Sequence, residues 1–146
     1  MRIIVAAAVL GLAGCASDRV DFGGIANPAA LSEPVIACED AGLSYAERAP
    51  LDFPVELLQL AYFARSDGLR VETSFEFDVN RAGEAINLRF VGDEAMTRSG
   101  SQRAAIKAAA DHLLTSRFAW PDHVDARYAS GCRETIDFGT RYSRQP

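Results

Sequence analysis

Residues 73–91 read T-S-F-E-F-D-V-N-R-A-G-E-A-I-N-L-R-F-V, and the fold is decided there. Thr73, Phe75, Phe77 and Val79 alternate with Ser74, Glu76 and Asp78. That period of two belongs to a strand with one face in a core and one in water. After Asn80–Gly83, a turn with glycine where a positive φ is wanted, Ile86, Leu88 and Phe90 alternate with Asn87 and Arg89. Pairing Val79 with Glu84 sets Phe77 opposite Ile86, Phe75 opposite Leu88 and Thr73 opposite Phe90. Ser74 then meets Arg89, and Glu76 meets Asn87, on the wet face. A one-residue slip would spoil both faces, so the pattern predicts a hairpin.

A hairpin with one apolar face needs a cover. Upstream, Leu57, Leu60, Ala61 and Ala64 recur at helical spacing, widened by Val55, Leu58 and Tyr62, and predict a helix over 54–66 that Gly68 stops. Downstream, S-Q-R-A-A-I-K-A-A-A-D-H-L-L-T-S-R-F begins at Ser101, with Ser99 and Ser101 suited to capping. Ile106, Ala109, Ala110, Leu113 and Leu114 make its stripe. It ends before Trp120-Pro121, and a last strand over Cys132–Phe138 places Cys132, Ile136 and Phe138 on one face, with Glu134 an awkward member. The predicted fold is α+β: two helices on one face of a three-stranded antiparallel sheet, in the order α-β-β-α-β.

The chain has 146 residues and a formal net charge of -5, one domain's worth of core. Its acidic balance argues against nucleic acid, which calls for clustered Lys and Arg. Lys107 is the single lysine.

The chain begins M-R-I-I-V-A-A-A-V-L-G-L-A-G-C, with Arg2 as a basic start, Ile3–Leu12 as an apolar run and Ala13-Gly14 as a small-residue cleavage site. The apolar run falls short of the ~20 residues of a membrane-spanning helix. With L-A-G-C at its end, the segment resembles a bacterial lipoprotein signal peptide. That resemblance implies cleavage before Cys15, lipidation of its thiol and a membrane anchor of several acyl chains. The alternative is an ordinary secretory signal with a chance cysteine. Ala16, where Asp would favour inner-membrane retention, implies the outer membrane, on the periplasmic side of the envelope. The reading divides the chain into a signal peptide (1–14), a lipidated tether (15–33) rich in small and polar residues, and a domain (34–146).

With Cys15 lipidated, Cys38 and Cys132 remain, an even number in an oxidising compartment, and one disulfide is expected. They lie 132 − 38 = 94 positions apart, so the bond would contribute about 4–5 kcal/mol in the chain-entropy model. Two separate buried thiols are the rival reading.

Beyond the anchor, Phe53-Pro54, S-F-E-F-D-V-N-R-A-G-E-A, A-A-I-K-A-A-A-D-H-L-L and R-F-A-W-P occur in an order similar to the C-terminal domain of TonB and its relatives, TolA included. The resemblance spans about residues 51–140. Two features depart from it: Ser116 stands where the family commonly has tryptophan, and Phe118 is three residues before Pro121, not two. The chain also has neither TonB's transmembrane helix nor its long proline-rich stalk. Fully extended, Ala16–Glu33 reaches roughly 60 Å, so coupling to an inner-membrane motor is not implied. What the resemblance implies is a surface. In TonB the final strand accepts an extended peptide by strand addition, and the corresponding residues are Arg133, Glu134, Thr135, Ile136, Asp137 and Phe138. If Cys38 is bonded to Cys132, Pro34–Glu39 lies beside the start of that strand and either leaves the edge free or occupies it.

No catalytic constellation emerges, and the chain is read as a non-enzyme with no cofactor or metal. His112 and His123, with Asp111, Asp122 and Asp125 nearby, lack three converging ligands. Phe75, Phe77 and Phe90 are needed as core rather than as a ligand pocket. Arg127, Arg133, Arg141 and Arg144 could meet anionic glycan or lipid headgroups, or lie on a solvated tail. The expectation is an envelope lipoprotein that contacts the membrane through its lipid and binds an envelope protein partner. The alternative is a disulfide-closed assembly factor contacting peptidoglycan or lipid. Nothing in the sequence sets an oligomeric state.

Overall fold

The computed structural model describes residues 29–64 and 69–140. Cys15, the signal peptide, most of the tether and the arginines at 141 and 144 lie outside the described residues. Among the described residues no helix is long and apolar enough to cross a membrane.

The elements are β1 (Val35–Ala37), α1 (Cys38–Ala41), β2 (Ser44–Glu47), α2 (Val55–Ala64), β3 (Leu69–Asn80), β4 (Ala85–Phe90), α3 (Gly100–Thr115), β5 (Arg117–Ala119) and β6 (Tyr128–Thr140), with a 3₁₀ turn at Glu94–Thr97. The fold is α+β. Its main sheet has four strands in the order β1-β6-β3-β4, and β2 pairs with β5 in a second, two-stranded sheet. The three-stranded antiparallel sheet expected from the sequence is thus replaced by a mixed one. β6 runs antiparallel to β3 over nearly its whole length, and β1 adds to β6 in parallel.

The alternating hydrophobic pattern of residues 73–79 becomes the core. Phe75 and Phe77 are 1% and 3% exposed, and Thr73 and Val79 are wholly buried. Each buried phenylalanine contributes about 2–3 kcal/mol of transfer free energy. The turn is as expected in its glycine: Gly83 has φ 79°, and a Cβ there would run into the Phe118 carbonyl. Alanine at that position meets strain and overlap together.

The hairpin register differs from the expected one. Asn80 pairs with Glu84 across the turn, Val79 pairs with Ala85, Asp78 with Ile86, Glu76 with Arg89 and Phe75 with Phe90. The turn shifts the pairing by one residue, and a bulge at Asn87, whose φ is 54°, shifts it by another. Two shifts restore the face, so Phe75 and Phe90 meet inside, rings 5.8 Å apart. Between them Ile86 moves opposite Asp78 and is only half-buried, while Ala85 takes a core place.

α3 seals the sheet. Ala105, Ile106, Ala109, Ala110 and Leu113 are buried, the alanines letting the helix approach β3 and β4 closely. Leu114, expected in the stripe, is 46% exposed. The Ser99 hydroxyl bonds to that of Ser101 at 3.2 Å and caps no backbone N–H. α2 packs on α3 and β3 through Leu57, which is wholly buried, whereas Val55, Leu58 and Leu60 are exposed. The described part of the helix runs Val55–Ala64, starting one residue after the expected Pro54; residues 65–66 of the expected span and the Gly68 stop lie outside the described residues. Just before it, Phe53 sets its ring edge-on to Phe138 at 5.8 Å, joining the approach of α2 to the last strand.

Candidate functional site

β6 carries the residues singled out as an acceptor edge. Ile136 and Phe138 are buried with Cys132, while Arg133, Thr135 and Asp137 alternate onto the solvated face. There they meet the outward side chains of β3. Arg133 Nη2 lies 3.4 Å from Glu76 Oε2, Thr135 and Ser74 share a hydroxyl hydrogen bond of 2.8 Å, and Arg70 Nε donates to Asp137 Oδ2 at 2.8 Å. These exposed pairs add little stability individually but keep that face flat and polar.

One flank of β6 is taken by β3 from Thr140 to Tyr128. On the other, Val35, Ile36 and Ala37 pair with Tyr128, Ala129 and Ser130. Cys38 then bonds to Cys132, their Cα atoms 4.9 Å apart. The sequence left open whether the segment at 34–39 would cover the edge. It covers the first three residues, and the disulfide ends the pairing by turning the chain away into α1, whose Gly42 C-cap adopts φ 62°. Among the described residues, no strand pairs with this flank of β6 beyond Ser130.

The unpaired flank opens into two consecutive clefts. The first, about 270 Å³, lies against Cys132, Arg133 and Glu134 and is walled by Leu43, Tyr45 and Phe118. The second, about 320 Å³, lies against Thr135, Ile136 and Asp137 and is walled by Arg48, Leu51 and His112. The start of β2 and the residues before it form the far wall of the first, and the segment after β2 forms that of the second. Ser116 holds it there, accepting from the Ala49 N–H at 3.1 Å and donating to the His112 carbonyl at 2.7 Å from a fully buried position. Where the family resemblance would put tryptophan, a small hydroxyl ties the end of α3 to this wall.

Glu134, the polar residue in an otherwise apolar register, stands between the clefts. Its side chain is 23% exposed, and Arg48 Nη2 approaches its Oε1 at 3.4 Å. Arg48 also lies over the Tyr45 ring, 4.9 Å from its centroid. Tyr45 stacks on Phe118 at 4.8 Å, and Phe118 meets Phe77 at 5.6 Å, so the first cleft has an aromatic floor continuous with the core. The Tyr45 hydroxyl is buried without a hydrogen-bond partner. Burial, and then the Glu134 carboxylate, push its pKa above the ordinary phenol value.

Among the described residues no three His, Cys, Asp or Glu side chains gather to hold a metal ion. His112 is buried with Nδ1 3.4 Å from the Pro50 carbonyl, and His123 is exposed in a turn. A third cleft, about 400 Å³ between α3 and the segment leading to α2, includes Lys107 and Asp111. Those two already pair with each other at 2.7 Å.

Sequence reading left β1 open, as a strand or a pinned extended segment beside the last strand, and missed the β2–β5 sheet and both clefts. Glu134 was the available signal, because a carboxylate in an inward register must have a partner or a purpose. Comparison with known proteins finds no matching family model, no matching curated protein and no matching solved structure.

Proposed function

We propose that this chain is a lipid-anchored envelope protein, fixed through Cys15 at the outer membrane, whose non-catalytic domain binds a protein partner by strand addition along Arg133–Phe138 of β6. In this reading α2, β3, β4, α3 and β6 are a TonB C-terminal-like unit of order α-β-β-α-β. Both helices cover one face of an antiparallel three-stranded sheet, and β1 is a further strand laid on its edge. The observation that carries the reading is the half-used flank of β6. Three residues of it hold a parallel strand from the same chain, and the rest has no strand partner. An edge that binds β1 has the backbone geometry to bind another strand.

A second reading keeps some support. The disulfide and the Arg48–Glu134 pair narrow the approach to the edge, as suits an assembly factor that contacts peptidoglycan or lipid and offers no strand-binding edge.

Photo-crosslinking separates the two. A photoreactive side chain at Thr135 or Asp137, compared with one at Arg103 on α3, should capture one discrete envelope protein from the β6 positions alone. Equal capture from both elements, or capture of glycan from β6, favours the second reading.

A further inference from the structure

The strand-addition reading leaves open what the incoming strand carries, and the first cleft bears on that. Its walls are aromatic and aliphatic, from Tyr45, Phe77, Phe118 and Leu43, and two carboxylates, Glu39 and Glu134, line it. Arg133 also lines it, but its guanidinium is drawn to Glu76 on the solvated face. The balance is acidic over an aromatic floor, which suits an organic cation.

The free protein already sets one against two of the cleft's lining residues, from the wall of the second cleft. Arg48 meets Glu134 with one nitrogen at 3.4 Å and covers the Tyr45 ring at 4.9 Å. Its grip is loose, because its side chain is 62% exposed, and so open a pair is weak. Glu134, by contrast, is mostly shielded, and a shielded carboxylate without a cation is costly. The site therefore needs a positive charge more than it needs this particular one.

We infer that the cleft beside Cys132–Glu134 receives a lysine or arginine side chain from an extended partner strand laid along β6, and that Arg48 is a stand-in displaced when that strand binds. This rests on the strand-addition reading and adds a residue class to it. The cleft has room for one long side chain and is smaller than an ordinary small-molecule site. The buried, unpartnered Tyr45 hydroxyl stays protonated and supplies an oxygen to accept from the incoming cation.

The experiment uses the full-length protein in detergent and two capped pentapeptides, Val-Thr-Arg-Val-Thr and the same peptide with citrulline, an uncharged isostere, in place of arginine. Binding is followed by the NMR shifts of the amides of residues 132–138 and of the Tyr45 ring. The arginine peptide should bind about tenfold more tightly than the citrulline peptide. Arg48→Ala should tighten the arginine peptide, and Glu134→Gln should bring the two peptides together. Equal binding to the unaltered protein overturns the cation site while leaving strand addition standing. No shift of any β6 amide with either peptide overturns both. If Tyr45 and Glu134 shift on removing residues 141–146 with no peptide present, the cleft belongs to the chain's own arginine-bearing tail and the partner inference fails.

Discussion

Asp78 Oδ1 accepts the backbone N–H of Gly131 at 3.1 Å. Its other oxygen accepts from Asn87 Nδ2 at 2.8 Å. Gly131, φ 75°, and Asn87, φ 54°, are the bulge residues of the two strands flanking β3. One carboxylate on the central strand thus fixes an irregularity in each neighbour. Asn87 goes further, because its amide accepts from the Ala29 N–H at 2.7 Å and donates to the Ala29 carbonyl at 3.1 Å. The first described residue is held on the solvated side of the sheet, and the chain from there leads to β1.

Asp78→Ala removes two hydrogen bonds and leaves both bulges unsupported. It should cost about 1–3 kcal/mol, read as a lower urea midpoint. Asp78→Asn keeps an acceptor and should lose less. If the two variants unfold at the unaltered midpoint, the bulges hold themselves.

How much of this was legible beforehand depends on what kind of feature it is. The faces of the hairpin were legible, because burial imposes period two on Thr73–Val79 whatever the register. The register was not, because Asn87 enters a left-handed conformation to reach Asp78 and Ala29, and nothing in I-N-L announces that. β1 is three residues long, and its place comes from a strand and a cysteine more than 90 positions away; local pattern carries no such information. Leu58 and Leu60 had the spacing of a buried stripe, but among the described side chains of α2, those of 55–60, Leu57 is the one that is buried. Glu134 was visible as an anomaly, and it marks the clefts.

That difference within α2 can be measured. Leu57→Ala should cost about 2–4 kcal/mol, whereas Leu58→Ala, 49% exposed, should stay within about 0.5 kcal/mol of the unaltered protein. Equal losses in chemical denaturation would show that α2 buries a broader face.

Replacing Cys38 and Cys132 together by serine should lower stability by about 2–5 kcal/mol. The amides of β1 should lose exchange protection first, because three residue pairs alone then hold it. Thermal unfolding with and without a thiol reductant should reproduce the loss in the unaltered protein and leave the double variant unchanged.

Tyr45 gives a signature at high pH. Its folded pKa is raised, so its contribution is fully present below the unfolded value, about 10, and is lost as pH rises through and beyond it. Stability should fall above about pH 10, and Tyr45→Phe should flatten part of that fall. Tyr45→Phe should also be neutral or mildly stabilising at neutral pH, since the lost hydroxyl has no partner. A marked loss at neutral pH would reveal a hydrogen bond to it.

Cys15→Ser should abolish palmitate labelling and release the protein from membranes on fractionation. Labelling that persists would remove the anchor from the account.

Backbone amide exchange along β6, resolved residue by residue in the unaltered protein, tests the central claim. Alternate N–H groups from Gly131 to Gly139 point toward β3 and should exchange slowly, and those between them should exchange far faster if that flank is free. Uniform slow exchange across Gly131–Gly139 would mean the flank is already satisfied, and strand addition would have no edge to use.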